Sequence, residues 1–372
     1  MAHDTVVSTA GGMRLPTWSG TLPPRMGEGM VGRHAARNLA ISTLMTLLTV
    51  PAGLMAKSPS AIAADGNPRR TASDPTLAYA SDFPDPFVLV KGGRYYAYST
   101  QVGSPGHWTN VPVMTSTDLT SWSATTDALP TLPRWANPGN TWAPAVLQRG
   151  GTSVLYYATT QRASGRQCIS TAIATTPAGP FKDLSTGPLV CQLSLGGSID
   201  PYPIVDSDGA AYLLWKSDGN AIGQPTSLWS RRLSPNGLGW QPSSSPVRLL
   251  SEHPGTWQAP AIEGPAMVRS GTAYYLFYGA GRWNARSSGV GYAVCDSPLG
   301  PCADQAPSAP WLGTGPDAGP AGPQGPTLFT DLDGALRLGF AGWSGRVGYP
   351  SGGVRAVWTG HLTFPGGHPI LD

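Results

Sequence analysis

Three carboxylate side chains stand beside prolines in apolar stretches of a chain that carries few charges. Asp85 and Asp200 each directly precede a proline, and Glu263 lies two residues before one. Only 12% of the 372 residues are charged, and burying an ionised carboxylate without a purpose costs several kcal/mol. Carboxyl groups in such surroundings are suited to general acid–base catalysis. These three acids are therefore the candidate catalytic residues.

A purely structural role is the alternative, because an aspartate before a proline often caps a turn. That role fits Asp85 or Asp200 taken singly, but it accounts poorly for Glu263. The offset of Glu263 from its proline also matters, since side chains alternate between the two faces of a strand. For all three carboxylates to reach one site, the strand near Glu263 has to be irregular at its start.

The three acids belong to a larger pattern that recurs five times along the chain. About ten residues after each X-Pro pair comes a turn, and a strand-like run of apolar and aromatic residues follows the turn. Successive pairs lie 57 to 64 residues apart. The pairs are Asp85-Pro86, Ala143-Pro144, Asp200-Pro201, Gly264-Pro265 and Gly325-Pro326.

Units of about sixty residues, each with three or four short strands, have the size of propeller blades. No segment shows sustained helical periodicity. We therefore predict an all-β fold, a five-bladed β-propeller over residues 78–372. A β-sandwich is the competing architecture, but it would not repeat one local motif five times at nearly constant spacing. In a closed propeller the first strands of all blades surround one axis, so the X-Pro residues converge there.

Composition excludes several other classes of protein. The 48 glycines and 38 prolines show no three-residue period, which excludes collagen. Hydrophobic residues make up 40% of the chain, which is enough to build a core and excludes wholesale disorder. The net charge is +3 without a run of lysine or arginine, so we expect no nucleic-acid partner. We expect a monomer.

The first 64 residues have the pattern of an N-terminal extension followed by a signal peptide. Residues 26–64 hold a short basic segment, a mostly apolar stretch at 39–55, and small residues that suit cleavage near Ala63. The alternative is an uncleaved anchor helix, because about 20 apolar residues can span a bilayer. We predict cleavage and export, with residues 65–77 as a linker, which gives a secreted protein without membrane contact.

The 4 cysteines fit an oxidising compartment. They allow about three pairings, and the two local ones are favoured because each closes a short loop. These are Cys168 with Cys191 and Cys295 with Cys302. A zinc site is the alternative, but it would need a C-x-x-C motif or clustered histidines, and the sequence has neither. Two disulfide bonds are therefore predicted.

Five short motifs follow one another in order, and their order and spacing together are specific. They are Asp-Pro-Phe-Val at 85–88 with Tyr95 and Tyr96, Trp-Ala-Pro at 142–144, Ser-Ile-Asp-Pro at 198–201, Trp-Lys-Ser-Asp-Gly-Asn at 215–220, and Glu-Gly-Pro at 263–265. Together they resemble glycoside hydrolase family 43, the five-bladed propeller arabinofuranosidases, arabinanases and xylosidases. The resemblance covers residues 80–365.

The resemblance implies a role for each acid. Asp85 is expected to be the general base, Glu263 the general acid, and Asp200 the residue that modulates the pKa of the acid and orients it. Inverting hydrolysis places the base and acid carboxyls about 6.5–9.5 Å apart, which admits a water molecule. The implied function is a secreted inverting glycoside hydrolase that acts on arabinofuranosyl or xylosyl linkages of plant cell-wall polysaccharides.

Two other functions compete with this one. A non-catalytic sugar-binding propeller would need none of the three acids. A retaining fructan hydrolase on a related propeller would begin with an Asn-Asp-Pro-Asn motif, which this chain lacks.

Residues beside the motifs are candidates for contact with sugar rings. The predicted substrate-binding residues are Phe83, Trp142, Tyr202, Trp257 and Gln324. Core packing between blades is the alternative for each aromatic residue. Trp343 and Arg355 in the fifth blade are further candidates for the rim of the site.

The resemblance departs from the family pattern at one position. Many members carry a histidine in the fifth blade that helps to hold a calcium ion. Gln324 occupies the corresponding stretch here, and none of the 6 histidines lies at an X-Pro position. The sequence therefore assigns no metal ligand and no required cofactor, and it leaves a structural calcium ion open. Gln324 is instead a candidate to bond sugar hydroxyls or a pore water.

Overall fold

A computed structural model describes residues 75–315 and 319–372. The predicted extension and signal peptide at 1–64, and residues 65–74 of the predicted linker, lie outside the described residues. In the part of the chain that is described, no helix is long and apolar enough to cross a membrane.

The first strand of the described chain belongs to the last blade. β1 (Thr76–Tyr79) pairs antiparallel with a strand near the C-terminus, where Thr76 lies opposite Thr359 and Leu77 opposite Trp358. The linker expected at 65–77 is therefore too long by two residues. Thr76 and Leu77 are part of the propeller because they extend a sheet edge in the fifth blade.

The first two blades are antiparallel sheets of four and three strands. Blade one consists of β2 (Phe87–Lys91), β3 (Arg94–Tyr98), the inserted hairpin of β4 (Val102–Ser104) and β5 (His107–Thr109), β6 (Pro112–Ser116) and β7 (Thr126–Asp127). Blade two consists of β8 (Ala136–Arg149), β9 (Thr152–Gln161) and β10 (Gln167–Ala174).

The third and fourth blades have four antiparallel strands each. Blade three consists of β11 (Ser198–Val205), β12 (Ala211–Ser217), β13 (Ser227–Arg232) and β14 (Val247–Ser251). Blade four consists of β15 (Ile262–Ser270), β16 (Ala273–Ala280), β17 (Gly289–Cys295) and β18 (Cys302–Asp304).

Blade five is built from both ends of the described chain. It consists of β19 (Ala321–Thr330), β20 (Leu336–Ser344) and β21 (Val354–Thr363), with β1 on its outer edge and β22 (Ile370–Leu371) also paired to β21. Short 3-10 helices occupy Leu193–Leu195, Gly219–Ile222, Tyr349–Ser351 and Pro365–Gly367.

The innermost strands close a ring. β2 contacts β8, β8 contacts β11, β11 contacts β15, β15 contacts β19, and β19 contacts β2 again. This cycle confirms the predicted all-β class and the five-bladed β-propeller, and it excludes the sandwich. Closure protects sheet edges that would otherwise be exposed.

The core lies between neighbouring blades, so each sheet is covered on both faces. Tyr156 and Tyr157 are consecutive residues of β9 and point to opposite faces, yet both are fully buried. Tyr157 packs in the cluster that holds Tyr98 of blade one, whereas Tyr156 packs in the cluster that holds Trp215 of blade three. Covered faces on both sides explain why the strands are continuous apolar runs rather than alternating ones.

Both predicted disulfide bonds are present. Cys168 pairs with Cys191 in blade two, and Cys295 pairs with Cys302, which joins β17 to β18 in blade four. The bonds therefore tie the outer part of two blades, away from the ring of inner strands.

Candidate active site

Each X-Pro pair distorts the backbone on or just before an inner strand, and this distortion is called the bulge below. In blades two to five the strand register shifts at the pair, and in blade one the pair directly precedes β2. The residue before the proline has a positive φ in all five blades: Asp85 at 52°, Ala143 at 43°, Asp200 at 56°, Gly264 at 56° and Gly325 at 59°. Residues before proline favour extended backbone, and a non-glycine residue held at positive φ costs on the order of 1–3 kcal/mol. Backbone strain of this kind is characteristic of functional sites.

The bulge resolves the offset of Glu263. In blades one and three the carboxylate stands on the bulge residue itself, whereas Glu263 stands one position earlier, before Gly264. The strand register shifts between Glu263 and Ala266, so strict alternation is broken at this point. The irregular strand that the sequence required is therefore confirmed, and all three acids line one cavity.

Two of the bulges need glycine because the blades approach closely. A Cβ on Gly325 would lie 3.2 Å from the Cα of Asp85, and a Cβ on Gly264 would lie 3.3 Å from the Cα of Gly325. Backbones of blades four, five and one are therefore in contact around the axis. Gly264 and Gly325 let the neighbouring bulges, and the carboxylate of Asp85, come this close.

The cavity at this end of the propeller has a volume of about 770 Å³. Every blade contributes residues on or next to its inner strand to the lining, among them Asp85, Trp142, Asp200, Glu263 and Gln324. A concave site of this size that combines aromatic walls with a few convergent polar groups is typical of small-ligand and enzyme sites.

Asp85 is held by two donors. Arg355 Nη2 donates to Oδ1 at 2.9 Å, and Thr100 Oγ1 donates to Oδ2 at 2.7 Å. Thr100 Oγ1 also accepts from the backbone N–H of Ala143 at 2.9 Å, which links this carboxylate to the bulge of blade two. The Arg355 side chain is 8% exposed and that of Asp85 is 30% exposed, so the ion pair is partly shielded while the carboxylate still reaches the cavity.

Glu263 is held by a buried lysine. Lys216 Nζ, on a side chain that is 1% exposed, lies 3.0 Å from Glu263 Oε2 and 3.3 Å from Asp218 Oδ1. Burial alone would lower the pKa of Lys216, but the surrounding carboxylates outweigh burial, with Glu263 contributing most, and the pKa is raised. Lys216 therefore remains an ammonium ion.

Asp200 differs from the other two acids because it forms no salt bridge with any residue that the structure describes. Its Oδ2 accepts from the backbone N–H of Gly264 at 2.9 Å. Loss of hydration on burial raises the pKa of Asp200 to about 7; the Lys216 charge opposes this rise, and the Glu263 carboxylate adds to it. Asp200 therefore takes up a proton close to neutral pH.

One rim of the cavity is an aromatic and charged cluster. The backbone N–H of Arg355 donates to Asp82 Oδ1 at 3.0 Å, and the Tyr349 hydroxyl donates to Asp82 Oδ2 at 3.3 Å. The Arg355 guanidinium lies 5.6 Å from the centre of the Trp283 ring. Trp343 stacks beneath Trp283 at 6.1 Å and is itself buried, so it supports the rim but does not line the cavity.

Two of the predicted aromatic contacts line the cavity and two do not. Trp142 and Tyr202 line it, and the Tyr202 ring is largely buried against Phe87. Phe83 is 2% exposed and packs edge-on against a neighbouring tyrosine, outside the cavity. Trp257 stacks on Tyr278 and its indole N–H donates to a backbone carbonyl, again outside the cavity. The structure therefore does not bring Phe83 and Trp257 into this cavity, although both are close in sequence to residues that line it.

Gln324 lines the cavity, and its amide is bonded to the protein at one end only, since the buried Oε1 has no hydrogen-bond partner among the described residues. It is 2% exposed, and its Nε2 donates to the backbone carbonyl of Ala280 at 2.9 Å. Within residues 75–315 and 319–372, no group of three or more histidine, cysteine or acidic side chains is arranged to hold a metal ion. The structural calcium ion that the sequence left open therefore stays an open prediction, and no chemical step is assigned to a metal.

Several cavity residues were not predicted. They are Asp82, Thr100, Trp108, Lys216, Asp218, Trp283 and Tyr349. Lys216 and Asp218 lie in the motif at 215–220, which contributed to the family resemblance but indicated no role for either residue. Trp283 and Tyr349 lie in connections outside the repeated pattern, where the sequence offers no signal.

A sequence profile of glycosyl hydrolases family 43 matches residues 75–351, which is most of the chain. The chain belongs to glycosyl hydrolases family 43. The motif-based resemblance is thereby confirmed, and family 43 membership supports the prediction of a glycoside hydrolase.

Individual relatives of this family 43 chain are distant. A β-D-galactofuranosidase of Aspergillus niger is 27% identical over 233 residues, which cover 59% of this chain and 62% of that protein. The chain thus spans about three fifths of the length of this curated relative.

Solved structures share the fold. A thermostable family-43 glycoside hydrolase superposes with a TM-score of 0.67 at 23% identity, covering 78% of this chain and 93% of the other. An α-L-arabinanase of Cellvibrio cellulosa superposes with a TM-score of 0.60 at 22% identity, covering 78% and 95%. At these identities the superpositions establish a common fold for family 43 and this chain.

Proposed function

We propose that this family 43 protein is an inverting glycoside hydrolase that cleaves arabinofuranosyl or xylosyl linkages of plant cell-wall polysaccharides or oligosaccharides. One observation carries the proposal. Asp85, Asp200 and Glu263 come from three different blades, converge on one cavity, and each has a different set of partners. Distinct surroundings for chemically similar acids are what separate acid from base roles.

Asp85 is the general base. Arg355 and Thr100 each donate to one of its oxygens, so the carboxylate plane is fixed. An ionised, oriented and partly exposed carboxylate can take a proton from a water molecule as that water attacks the anomeric carbon. The water supplies the new C–O bond, and its proton goes to Asp85.

Glu263 is the general acid. It faces the cavity from blade four, which blade five separates from the blade of Asp85, and it gives its proton to the glycosidic oxygen as the bond to the anomeric carbon breaks. Asp200, which takes up a proton near neutral pH, is a second carboxyl group beside Glu263. After product release, Asp85 returns one proton to solvent and Glu263 regains one, so the protons balance.

The walls favour a neutral sugar. Trp108, Trp142 and Trp283 line the cavity and offer flat apolar faces to the C–H groups of a sugar ring. The lining holds five carboxyl side chains against two basic ones, which repels acidic sugars. A neutral pentose or hexose unit fits this balance better than a uronic acid.

Galactofuranosyl linkages are the second candidate. The observation that favours them is the similarity to the Aspergillus niger β-D-galactofuranosidase. An α-L-arabinofuranoside has the ring configuration of a β-D-galactofuranoside and lacks one exocyclic carbon with its hydroxyl. A cavity that accepts one of these furanosides therefore needs only a small local change to accept the other.

The test is hydrolysis of three aryl glycosides by the purified protein. We expect turnover of 4-nitrophenyl α-L-arabinofuranoside or β-D-xyloside, with the β-D-galactofuranoside as the comparison that decides the second candidate. Asp85→Asn serves as the matched inactive control. Binding of these sugars without turnover by the unmodified protein would instead support the non-catalytic sugar-binding alternative.

Export and a monomeric state are part of the proposal. The two disulfide bonds support an oxidising compartment. Intact-mass analysis of protein from culture supernatant should find an N-terminus at Ala64 or Asp65, and light scattering should give the mass of one chain. A secreted product that retains residues 39–55 would contradict signal-peptide cleavage.

A further inference from the structure

We propose that Lys216 is a positioning residue of the reaction, which fixes the carboxyl group of Glu263 and sets the pH at which the Asp200–Glu263 pair loses its proton. This inference rests on the proposed function, because that function gives Glu263 its role as the acid. Lys216 acts through Glu263 rather than by contact with substrate.

The contacts fix Lys216 from two sides. Its Nζ bonds Glu263 Oε2 at 3.0 Å on one side and Asp218 Oδ1 at 3.3 Å on the other. The lysine side chain is 1% exposed and that of Asp218 is 10% exposed, so little water competes for the ammonium group. Both salt bridges are therefore largely shielded from water.

The bond to Lys216 also distinguishes the two oxygens of Glu263. Oε2 accepts from the ammonium group, which has no acceptor capacity of its own. A proton carried by Glu263 is therefore held at Oε1. Lys216 thus orients the carboxyl group for one-sided proton donation.

The salt bridge between Lys216 and Glu263 also opposes the proposed role of Glu263 as a proton donor. An ammonium ion at salt-bridge distance favours the ionised carboxylate, whereas a proton donor has to keep its proton. Asp200 works in the opposite direction, since two nearby carboxylates cannot both ionise easily. Burial raises the pKa of Asp200 to about 7, with Lys216 opposing the rise and Glu263 adding to it. Asp200, Glu263 and Lys216 together therefore determine the pH at which the two carboxyl groups lose their proton.

The charged groups that face the pair come from four other positions in the ring. They are Lys216 on β12, Asp218 just after β12, Arg355 on β21, and Asp85 before β2. Arg355 donates to Asp85, whereas Lys216 donates to Glu263 directly. Lys216 is therefore the cation whose removal alters the pair and leaves the bond between Arg355 and Asp85 in place.

Two substitutions should shift the titration of the pair in opposite directions. Lys216→Met removes the positive charge and keeps a side chain of similar volume. The Asp200–Glu263 pair should therefore hold its proton to a pH higher by about 1 unit or more. Asp218→Asn keeps the ammonium group of Lys216 but removes the negative charge of Asp218 beside it. The positive charge then acts more fully on the Asp200–Glu263 pair, so the midpoint of the pair's titration should fall to lower pH. Lys182→Met, at an exposed lysine outside the cavity, is the matched control and should shift nothing.

The measurement is a pH titration of ¹³C-labelled carboxyl groups by NMR, with the two signals assigned through Glu263→Gln and Asp200→Asn. It needs no substrate, so it is independent of the proposed function. Opposite shifts in Lys216→Met and Asp218→Asn support the proposal, and the alkaline limb of kcat/KM should move with them. No shift, or shifts of the same sign, overturns it. If Lys216→Met does not fold, Asp218→Asn decides alone, and an unchanged or higher midpoint overturns the proposal.

The outcomes separate the two claims. Opposite NMR shifts in a protein that hydrolyses none of the glycosides would leave the role of Lys216 in the proton equilibrium intact and contradict the proposed function. Hydrolysis with unmoved carboxyl titrations would support the function and overturn the role of Lys216.

Discussion

Arg355 Nη2 donates to Asp85 Oδ1 at 2.9 Å, across 270 residues of sequence. Asp85 stands before the first strand of blade one, and Arg355 stands on β21 of blade five. β21 is also the strand to which β1 pairs, which brings both ends of the described chain into one sheet. Closure of the propeller and the placement of the general base therefore depend on the same strand.

Asp85→Asn should abolish hydrolysis of every substrate. The amide has nearly the same shape, so the bulge is kept, but it cannot take a proton from water. We expect kcat to fall by roughly 10²–10⁴ on good and poor leaving groups alike, the usual range for loss of a general base. Initial rates on an aryl glycoside and on an oligosaccharide check this, with circular dichroism as the control for folding. Activity within tenfold, about 1.4 kcal/mol, of the unmodified protein would remove Asp85 from the base role.

Glu263→Gln should discriminate between leaving groups. 4-Nitrophenolate departs without a proton, whereas the hydroxyl of a sugar needs one. We expect a loss of roughly 10²–10⁴ on oligosaccharides and a much smaller loss on the nitrophenyl glycoside. The ratio of kcat/KM for the two substrates is the measurement. Equal loss on both would show that Glu263 is not the proton donor.

Asp200→Asn should move the alkaline limb of the pH–rate profile to lower pH. Asn can still accept from the N–H of Gly264, so the geometry is retained. The pKa of Asp200 is raised to about 7 by burial, and above that pH its charge opposes ionisation of its neighbour. Removal of a like charge makes proton loss easier, hence the shift to lower pH. A limb that stays in place or moves to higher pH would argue against coupling between these acids.

Trp283→Ala should weaken binding of oligosaccharides with little effect on stability. Trp283 is 42% exposed and stands at the rim over the buried Trp343, so its free face is available to a sugar ring. We expect KM to rise by roughly fivefold, about 1 kcal/mol, with kcat largely unchanged. Leu184→Ala, at an exposed residue outside the cavity, is the control. An unchanged KM would place the substrate elsewhere along the rim.

The repeated part of the structure could be predicted from the sequence. Five X-Pro pairs at nearly constant spacing predicted the number of blades. The acids next to these pairs predicted which residues converge on the cavity at the axis. The reason is physical, since each pair forms the same positive-φ bulge at the axis, as at Asp85 and Asp200. Even the irregular strand at Glu263 followed from the offset of that residue relative to its proline.

The other features of the site depend on contacts that follow no repeat in the sequence. Phe83 and Trp257 are close to motif residues in the sequence, yet they pack against the core clusters from connections outside the strands, where alternation predicts no direction for a side chain. Lys216 reaches Glu263 from a different blade, and nothing in the spacing of the two residues indicates that contact. Trp283 lies in a connection between strands, where neither propensity nor alternation predicts a position at the rim.

The anomeric configuration of the first product tests the central claim most directly. Proton NMR of an α-L-arabinofuranoside or β-D-xyloside mixed with the unmodified protein follows the anomeric signals before mutarotation mixes them. The account predicts that the first sugar released has the configuration opposite to that of the substrate, because Asp85 delivers water directly to the face opposite the leaving group. A first product that keeps the substrate's configuration would contradict the account, since retention requires a covalent intermediate that these roles do not form.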